Sequence, residues 1–117
     1  MRRIRKVAVL GAGTMGAAIA AHCANAGLEV ELLDIAPGEG EDKNAVVRAG
    51  FERMRQARPP ALMSQRVVER IRLGNFEEHF GRVADADWVV EAIVERLEPK
   101  RELMARVEET AREDAVV

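Results

Sequence analysis

Three glycines near the start of the chain have the spacing of a diphosphate-binding turn. Gly11, Gly13 and Gly16 follow the apolar run 7–10 and precede an alanine-rich segment. In such a strand–turn–helix, the first glycine allows a sharp turn and the second lets phosphate approach the backbone. The third allows the helix to pack closely. Because a helix start also offers unpaired N–H groups and a partial positive charge, the pattern predicts a dinucleotide site.

One carboxylate downstream has the position expected of a ribose ligand. Asp34 ends the apolar segment 29–33 and lies 18 residues after Gly16. A carboxylate there accepts hydrogen bonds from both hydroxyls of an adenosine ribose and repels a 2′-phosphate. The next basic residue is Lys43, too far along the chain for an evident phosphate clamp. The sequence therefore favours NAD over NADP, with a plain turn aspartate as the weaker alternative.

Strands and helices alternate along the chain and would bring these residues together. Strands are predicted over 6–10, 29–34, 71–73 and 88–94, with a last one beginning at 114; helices are predicted over 14–26, 44–57, 65–71, 76–83 and 99–112. This order predicts an α/β fold of the Rossmann type, with a parallel sheet and helices on both faces. The segment 35–70 is a helical excursion between the second and third strands. Ligands of such sheets bind beyond the carboxyl ends of the strands, where the glycine turn, Asp34 and 92–95 converge.

Several local features of these elements are also predicted. The first helix should bury Met15, Ile19, Cys23 and Ala26, and Gly27 should end it in the left-handed conformation. Further predictions are an inward face of Val47, Phe51 and Met54, a helix cap at Ser64, a turn at 74–75, buried Phe76, Phe80 and Val83, and a surface His79.

Composition excludes several classes of function. The 117 residues carry a formal net charge of -2, so nothing in the total indicates binding to nucleic acid or an anionic membrane. No apolar run is long enough to span a bilayer, and the basic start lacks the features of a secretory signal. The single cysteine, Cys23, forbids an internal disulfide and fits a reducing compartment. Neither Cys23 nor His22 has a neighbour that would complete a nucleophile or a metal site.

The excursion is rich in positive charge. Between 43 and 58 the basic residues are Lys43, Arg48, Arg53, Arg55 and Arg58, against the single acid Glu52. One hypothesis is that they attract a phosphorylated substrate. The other is a solvated helix face, which is the commoner outcome for such a charge run.

Three segments together resemble the NAD-binding domain of 3-hydroxyacyl-CoA dehydrogenases. They are Val-Leu-Gly-Ala-Gly-Thr-Met-Gly at 9–16, Leu-Leu-Asp at 32–34 and, most specifically, Trp-Val-Val-Glu-Ala-Ile-Val-Glu at 88–95. The resemblance covers essentially the whole chain. The segments 59–62, 74–76 and 84–88 are most similar to long bacterial members in which an enoyl-CoA hydratase-like part follows the dehydrogenase.

The resemblance implies oxidation of a 3-hydroxyacyl-CoA by NAD in fatty-acid β-oxidation. It also implies site residues: Gly11, Gly13, Thr14, Met15 and Gly16 for the pyrophosphate, Asp34 for the adenosine ribose, Ala92, Ile93 and Val94 beside the nicotinamide half, and Glu95 and Lys100 as further cofactor contacts. Lys100 has the alternative of a solvated helix lysine. Glu91 is expected to bind nearby backbone N–H groups.

The family's catalytic histidine and its supporting residues lie downstream of the fifth strand. Residues 1–117 are therefore expected to form an incomplete NAD-binding domain, without a catalytic residue, without the substrate and dimerisation domain, and inactive alone. The implied partners are an acyl-CoA substrate and, for the full protein, further copies of itself. The expected location is the cytoplasm. Two alternatives stay open: a stand-alone NAD-binding or sensing module, and a β-hydroxyacid dehydrogenase that acts on small acids without CoA.

Overall fold

Four parallel strands build the sheet at the centre of the molecule. The computed structural model describes residues 3–36, 42–57, 64–93 and 97–117, with the backbone alone for 97–100. The strands are β1 (Lys6–Leu10), β2 (Glu29–Asp34), β3 (Ile71–Asn75) and β4 (Trp88–Glu91), in the order β3-β2-β1-β4. Residues 7–10 of β1 are fully buried at the middle of the sheet. The prediction of a parallel Rossmann-type sheet is confirmed.

A further backbone pairing extends the sheet beyond β4. The Val89 N–H donates to the Val116 carbonyl over 2.7 Å, and the Val116 N–H donates to the Asp87 carbonyl over 2.9 Å. Trp88 and Val116 thus form a parallel bridge. The strand predicted to begin at 114 is present here as this single bridge.

Helices cover both faces of the sheet, as predicted. They are α1 (Thr14–Asn25), α2 (Ala45–Arg55), α3 (Gln65–Val68) and α4 (Leu97–Thr110), with a 3₁₀ helix over Phe80–Asp85. One core packs α1, α2 and α3 against residues such as Val9 and Leu32. The other packs the 3₁₀ helix and α4 against Leu10 and Leu33. None of the helices in these described ranges combines the length and apolarity needed to cross a membrane.

The buried face of α1 differs from the predicted one. Met15 is 68% exposed and Ala26 is also exposed, whereas the buried residues are small: Gly16, Ala17, Ala20, Ala21, Cys23 and Ala24. Small side chains let the helix approach the sheet closely, so they decide which face turns inward. Gly27 has a φ of +96°, which confirms the predicted left-handed residue after the helix.

The helical excursion is largely as predicted, with shorter helices. Val47, Phe51 and Met54 are buried, and the Ser64 hydroxyl accepts a hydrogen bond from the Val67 N–H over 3.3 Å. The predicted helix over 65–71 ends at Val68, and Ile71 starts β3 instead.

The region after β3 corrects three predictions. Gly74 and Asn75 belong to the strand rather than to a turn, because they continue the parallel pairing with Leu33 and Asp34 of β2. The buried Asn75 side chain binds the turn that follows: its Oδ1 accepts from the Glu78 N–H over 2.7 Å. The predicted helix over 76–83 is the tighter 3₁₀ helix Phe80–Asp85, although Phe76, Phe80 and Val83 are buried as expected. His79 is half-buried, and its Nδ1 accepts a hydrogen bond from the Asn75 N–H over 2.9 Å.

Candidate functional site

The three predicted stretches meet at the carboxyl edge of the sheet. The Gly11 N–H donates to the Leu33 carbonyl over 2.7 Å, which joins the glycine turn to the end of β2. The Ala92 N–H donates to the Leu10 carbonyl over 2.8 Å, which joins the end of β4 to the end of β1. Parallel strands that end together leave a crevice beyond their carboxyl ends, and this is the expected place for a dinucleotide.

Each glycine of the turn has a distinct geometric role. Gly11 has a φ of +116°, and a Cβ there would lie 2.9 Å from the backbone carbon of Ala92. A Cβ on Gly16 would lie 1.7 Å from the Gly11 carbonyl oxygen, so this position admits no side chain. At Gly13 a Cβ would meet nothing within 4 Å. A side chain would therefore clash at Gly11 and Gly16, whereas the space at Gly13 is open, as the prediction of a diphosphate site requires.

The start of α1 has no side-chain cap within the described part of the chain. Its N-cap residue is Gly13, which provides no side-chain cap, and the first turn contains no acidic residue. Thr14 and Met15 are both exposed. Helix N–H groups that lack a capping side chain keep their hydrogen-bonding capacity for a ligand, and the helix dipole favours a negative one. These residues fit the predicted pyrophosphate site.

Asp34 faces the same turn. Its Oδ2 accepts a hydrogen bond from the Ala12 N–H over 2.7 Å, and its Oδ1 accepts one from the Ile35 N–H over 2.6 Å. The side chain is half-buried, and no cation pairs with it among the residues that the structure describes. An ionised carboxylate has about four lone-pair sites. Asp34 therefore keeps acceptor capacity for two ribose hydroxyls.

The end of β4 contacts the glycine turn directly. A Cβ on Gly11 would lie 3.0 Å from Cγ2 of Ile93, so Ala92 and Ile93 pack against the turn. Oε1 of Glu91 accepts a hydrogen bond from the Ile93 N–H over 2.7 Å, which confirms the structural role expected for Glu91. Val94 and Glu95 lie outside the described residues. Lys100 lies in α4, with its side chain outside the described part.

A groove of about 250 Å³ lies between the start of α1 and the helix α2. Its lining is mostly apolar and small: Gly13, Thr14, Ala17, Ala18, Gly50, Arg53, Met54 and Ala57. Arg53 is exposed and has no ion pair within the described ranges. Among the described residues that line this groove, Arg53 is the basic one.

Three other basic residues between 43 and 58 pair with acids. Nζ of Lys43 lies 2.7 Å from Oε1 of Glu77, and this salt bridge raises the pKa of Lys43. Arg48 pairs with Asp42, and Arg55 with Glu52 over 3.3 Å. Arg58 lies outside the described residues. The hypothesis that the five basic residues attract a phosphorylated substrate thus stays a prediction. Arg53 is the residue that now fits it best.

The histidines and the cysteine do not complete a catalytic group in the described part of the chain. His22 is exposed on α1, and His79 binds backbone. Cys23 is buried, and desolvation raises the pKa of its thiol, which disfavours the reactive thiolate.

Sequence reasoning missed one residue beside the site. Gly50 lies within α2, where glycine is unfavourable compared with alanine, and that cost was a signal that could have been used. A Cβ at Gly50 would lie 2.0 Å from the carbonyl oxygen of Ala12 in the glycine turn. The helix therefore touches the turn backbone to backbone.

Comparison with known proteins identifies the family. Residues 6–117 match the family model "3-hydroxyacyl-CoA dehydrogenase, NAD binding domain". The chain therefore belongs to this family of NAD-binding domains, and its cofactor is NAD. A probable 3-hydroxyacyl-CoA dehydrogenase of Deinococcus radiodurans is 45% identical over 115 residues, which cover 98% of this chain and 33% of that protein.

Solved structures of similar proteins support the same family. A structure of (S)-3-hydroxybutyryl-CoA dehydrogenase from Ralstonia eutropha is similar with a TM-score of 0.68 and 26% identity, over 97% of this chain and 39% of the other. A diketoreductase that acts on dicarbonyl compounds is similar with a TM-score of 0.77 and 27% identity, over 98% of this chain and 41% of the other. The chain thus spans 33%, 39% and 41% of the lengths of these three proteins, in the order given.

Proposed function

We propose that this NAD-binding domain serves an enzyme that oxidises 3-hydroxyacyl-CoA to 3-oxoacyl-CoA in fatty-acid β-oxidation. The observation that carries the proposal is the convergence of the open Gly13 turn, Asp34 and the Ala92–Ile93 segment at one sheet edge, in a chain of this family. NAD, when bound, accepts the hydride from the 3-hydroxyl carbon. The described residues bind and orient the cofactor, and the chemical step needs residues outside this chain.

Different parts of the edge bind different parts of NAD in this proposal. The turn residues Gly11, Gly13, Thr14, Met15 and Gly16 bind the pyrophosphate through backbone N–H groups. Asp34 accepts hydrogen bonds from the adenosine ribose. Ala92, Ile93 and Val94 line the nicotinamide half, with Glu95 and Lys100 as further contacts. The opening at Gly13 and the start of α1 without a side-chain cap support these roles, as does the Asp34 carboxylate, which has no ion pair within the described ranges.

The surroundings of the domain follow from the same proposal. Residues 1–117 form the cofactor domain of a longer enzyme whose further domain supplies the catalytic residues, part of the acyl-CoA site and the contact between subunits of a homo-oligomer. The lengths of the relatives support a further domain. A cytoplasmic location is supported by the free thiol of Cys23, which fits a reducing compartment.

The first experiment measures cofactor binding. Calorimetric titration of this chain with NAD and NADP should show binding of NAD and a weaker or undetectable response to NADP. Asp34→Ala should weaken NAD by about 10- to 100-fold, because hydrogen bonds to a charged group contribute about 1.5–3 kcal/mol. Asp85→Ala, which removes an exposed acid from the 3₁₀ helix, is the matched control and should leave NAD binding unchanged. Equal binding of NAD by wild type and Asp34→Ala would contradict the ribose assignment.

The second experiment concerns turnover. The full-length natural protein should oxidise NADH in the presence of acetoacetyl-CoA, whereas the isolated chain 1–117 should bind NAD without doing so. A measurable rate from the isolated chain would show that catalytic residues lie within it, contrary to the proposal.

A second candidate substrate class is suggested by one structural neighbour. The diketoreductase named above acts on dicarbonyl compounds and has the same fold over nearly the whole chain. Parallel assays of the full-length protein with acetoacetyl-CoA and with the free acid separate the two classes. Faster turnover of the free acid would favour a dehydrogenase of small acids that does not need CoA.

A further inference from the structure

The carbonyl of Ala12 faces the helix α2. A Cβ on Gly50 would lie 2.0 Å from the Ala12 carbonyl oxygen, 2.9 Å from the Ala12 Cβ and 3.0 Å from its carbonyl carbon. Only glycine lets α2 approach this closely, because any side chain at residue 50 would start inside the peptide that follows Ala12. Gly50 is itself buried in this contact.

The orientation of that carbonyl fixes a donor on the opposite side of the same peptide. A trans peptide is planar, and its C=O and N–H groups point in opposite directions. Because the Ala12 oxygen faces α2, the Gly13 N–H points away from α2. Within the described ranges this N–H has no hydrogen-bond partner, and the space around Gly13 is open. It is therefore available to a diphosphate.

Two further contacts hold the turn and α2 in this arrangement. The Ala12 N–H donates to Oδ2 of Asp34 over 2.7 Å, so the residue is fixed from the β2 side as well. At the start of α2, Oδ1 of Asn44 accepts a hydrogen bond from Nδ2 of the buried Asn75 over 2.8 Å. The hydrogen bond between Asn44 and Asn75 thus ties the position of α2 to the end of β3. The contact at Gly50 in turn ties the position of Ala12 to that of α2.

We propose that Gly50 is a positioning residue of the cofactor site: it seats α2 against the Ala12 carbonyl and thereby aims the Gly13 N–H at the diphosphate of NAD. The inference rests on the proposed use of this turn for the pyrophosphate. It assigns to the excursion helix a role in cofactor binding that is separate from any contact with substrate.

The test is Gly50→Ala in the full-length natural protein, with NAD binding measured by calorimetry and stability by thermal unfolding. Helix propensity alone would favour the alanine variant, so a loss must come from the displaced contact. We expect NAD to bind about tenfold more weakly or worse, since sub-ångström placement of site groups matters at this scale. Gly81→Ala is the matched control: a Cβ there meets nothing within 4 Å, and binding should stay within about twofold of wild type.

A comparison of ligand fragments separates positioning from general damage. ADP-ribose, which contains the diphosphate, should lose affinity for Gly50→Ala about as NAD does, whereas adenosine, which lacks it, should stay within about twofold. Equal losses for both ligands, or unchanged NAD affinity in a folded Gly50→Ala protein, would overturn the assignment. If wild type itself does not bind NAD, the proposed function fails first.

A second variant decides the case in which Gly50→Ala does not fold. Asn44→Ala removes one hydrogen bond at the start of α2 and leaves Asn75 bound to Glu78 over 3.1 Å. We expect a folded protein with NAD affinity reduced about two- to fivefold, in the range of one neutral hydrogen bond. Unchanged NAD affinity in this variant would also overturn the proposal.

Discussion

Two carboxylates on the same strand differ in their burial and in their hydrogen-bond partners. Glu31 and Asp34 both belong to β2, three positions apart. Glu31 is only 3% exposed and is surrounded by cations: Nε of Arg72 donates to its Oε1 over 2.7 Å, Nη1 of Arg82 donates to its Oε2 over 3.2 Å, and Nζ of Lys6 lies 3.6 Å away. Asp34 is half-buried, and its hydrogen-bond donors within the described part of the chain are the backbone N–H groups of Ala12 and Ile35.

The difference follows from where each residue lies along the strand. Glu31 lies inside the sheet, opposite Arg72 of β3 in the register, and a buried charge there must be paired to be tolerated. The hydrogen bond to Glu31 also raises the pKa of Arg72. Asp34 lies at the carboxyl edge of the sheet, where it is half-buried and solvent reaches it. The charge of Glu31 is therefore used for the fold, whereas that of Asp34 remains available for binding.

The largest effect should come from Glu31, the carboxylate that is already paired with cations. Glu31→Gln keeps the size of the side chain and leaves Arg72 and Arg82 without their anion. We expect the free energy of unfolding to fall by about 2–4 kcal/mol, as when one partner of a buried pair is removed, while NAD affinity of the folded protein is unchanged. Urea unfolding measures the first and calorimetry the second.

The control for this variant lies on the same strand. Glu29 is exposed, and Glu29→Gln should change the free energy of unfolding by about 0.5 kcal/mol or less. A strong loss of NAD affinity in folded Glu31→Gln would show that the two ends of β2 are not functionally separate.

An intermediate effect should come from Asp34, the carboxylate that keeps acceptor capacity for a ligand. Asp34→Asn retains an oxygen acceptor and removes the charge, so NAD should bind about three- to tenfold more weakly with little change in stability. Because the repulsion of a 2′-phosphate is removed, the ratio of NAD to NADP affinity should fall in the same titrations. An unchanged ratio would mean that the charge of Asp34 does not select the cofactor.

The smallest effect concerns the cations of α2, where the same contrast between paired and available charges recurs. Arg53→Gln should raise the KM for acyl-CoA about two- to fivefold in the full-length protein, with larger effects at low salt, because an exposed cation gives only modest attraction. Arg55→Gln removes a cation that is paired with Glu52 and lies 5.7 Å from the Phe51 ring centre. It should leave KM unchanged. Equal effects of both variants would favour a merely solvated basic face.

Local patterns predicted most of the fold because they depend on neighbours in sequence. The apolar run 7–10, the Gly27 helix end, the Ser64 cap and the inward face of α2 all agree with the structure. The errors arose where a distant contact decided. Met15 is exposed because the small residues of α1 pack on the sheet, and Asn75 extends β3 because its backbone pairs with Asp34 of β2.

The sequence by itself determined the parts of the site that lie within one strand–turn–helix unit or at one strand end. The glycine spacing and the acid at the end of β2 are covalent, local facts, and they indicated the turn and Asp34 before any coordinates. It could not determine which charges are already paired, because the partners of Glu31 lie 25, 41 and 51 positions away along the chain. Only the tertiary structure decided that Glu31 is paired with three cations and that Asp34 and Arg53 have no ion pair among the described residues. It also decided that Gly50 contacts Ala12. These contacts depend on how separate elements pack.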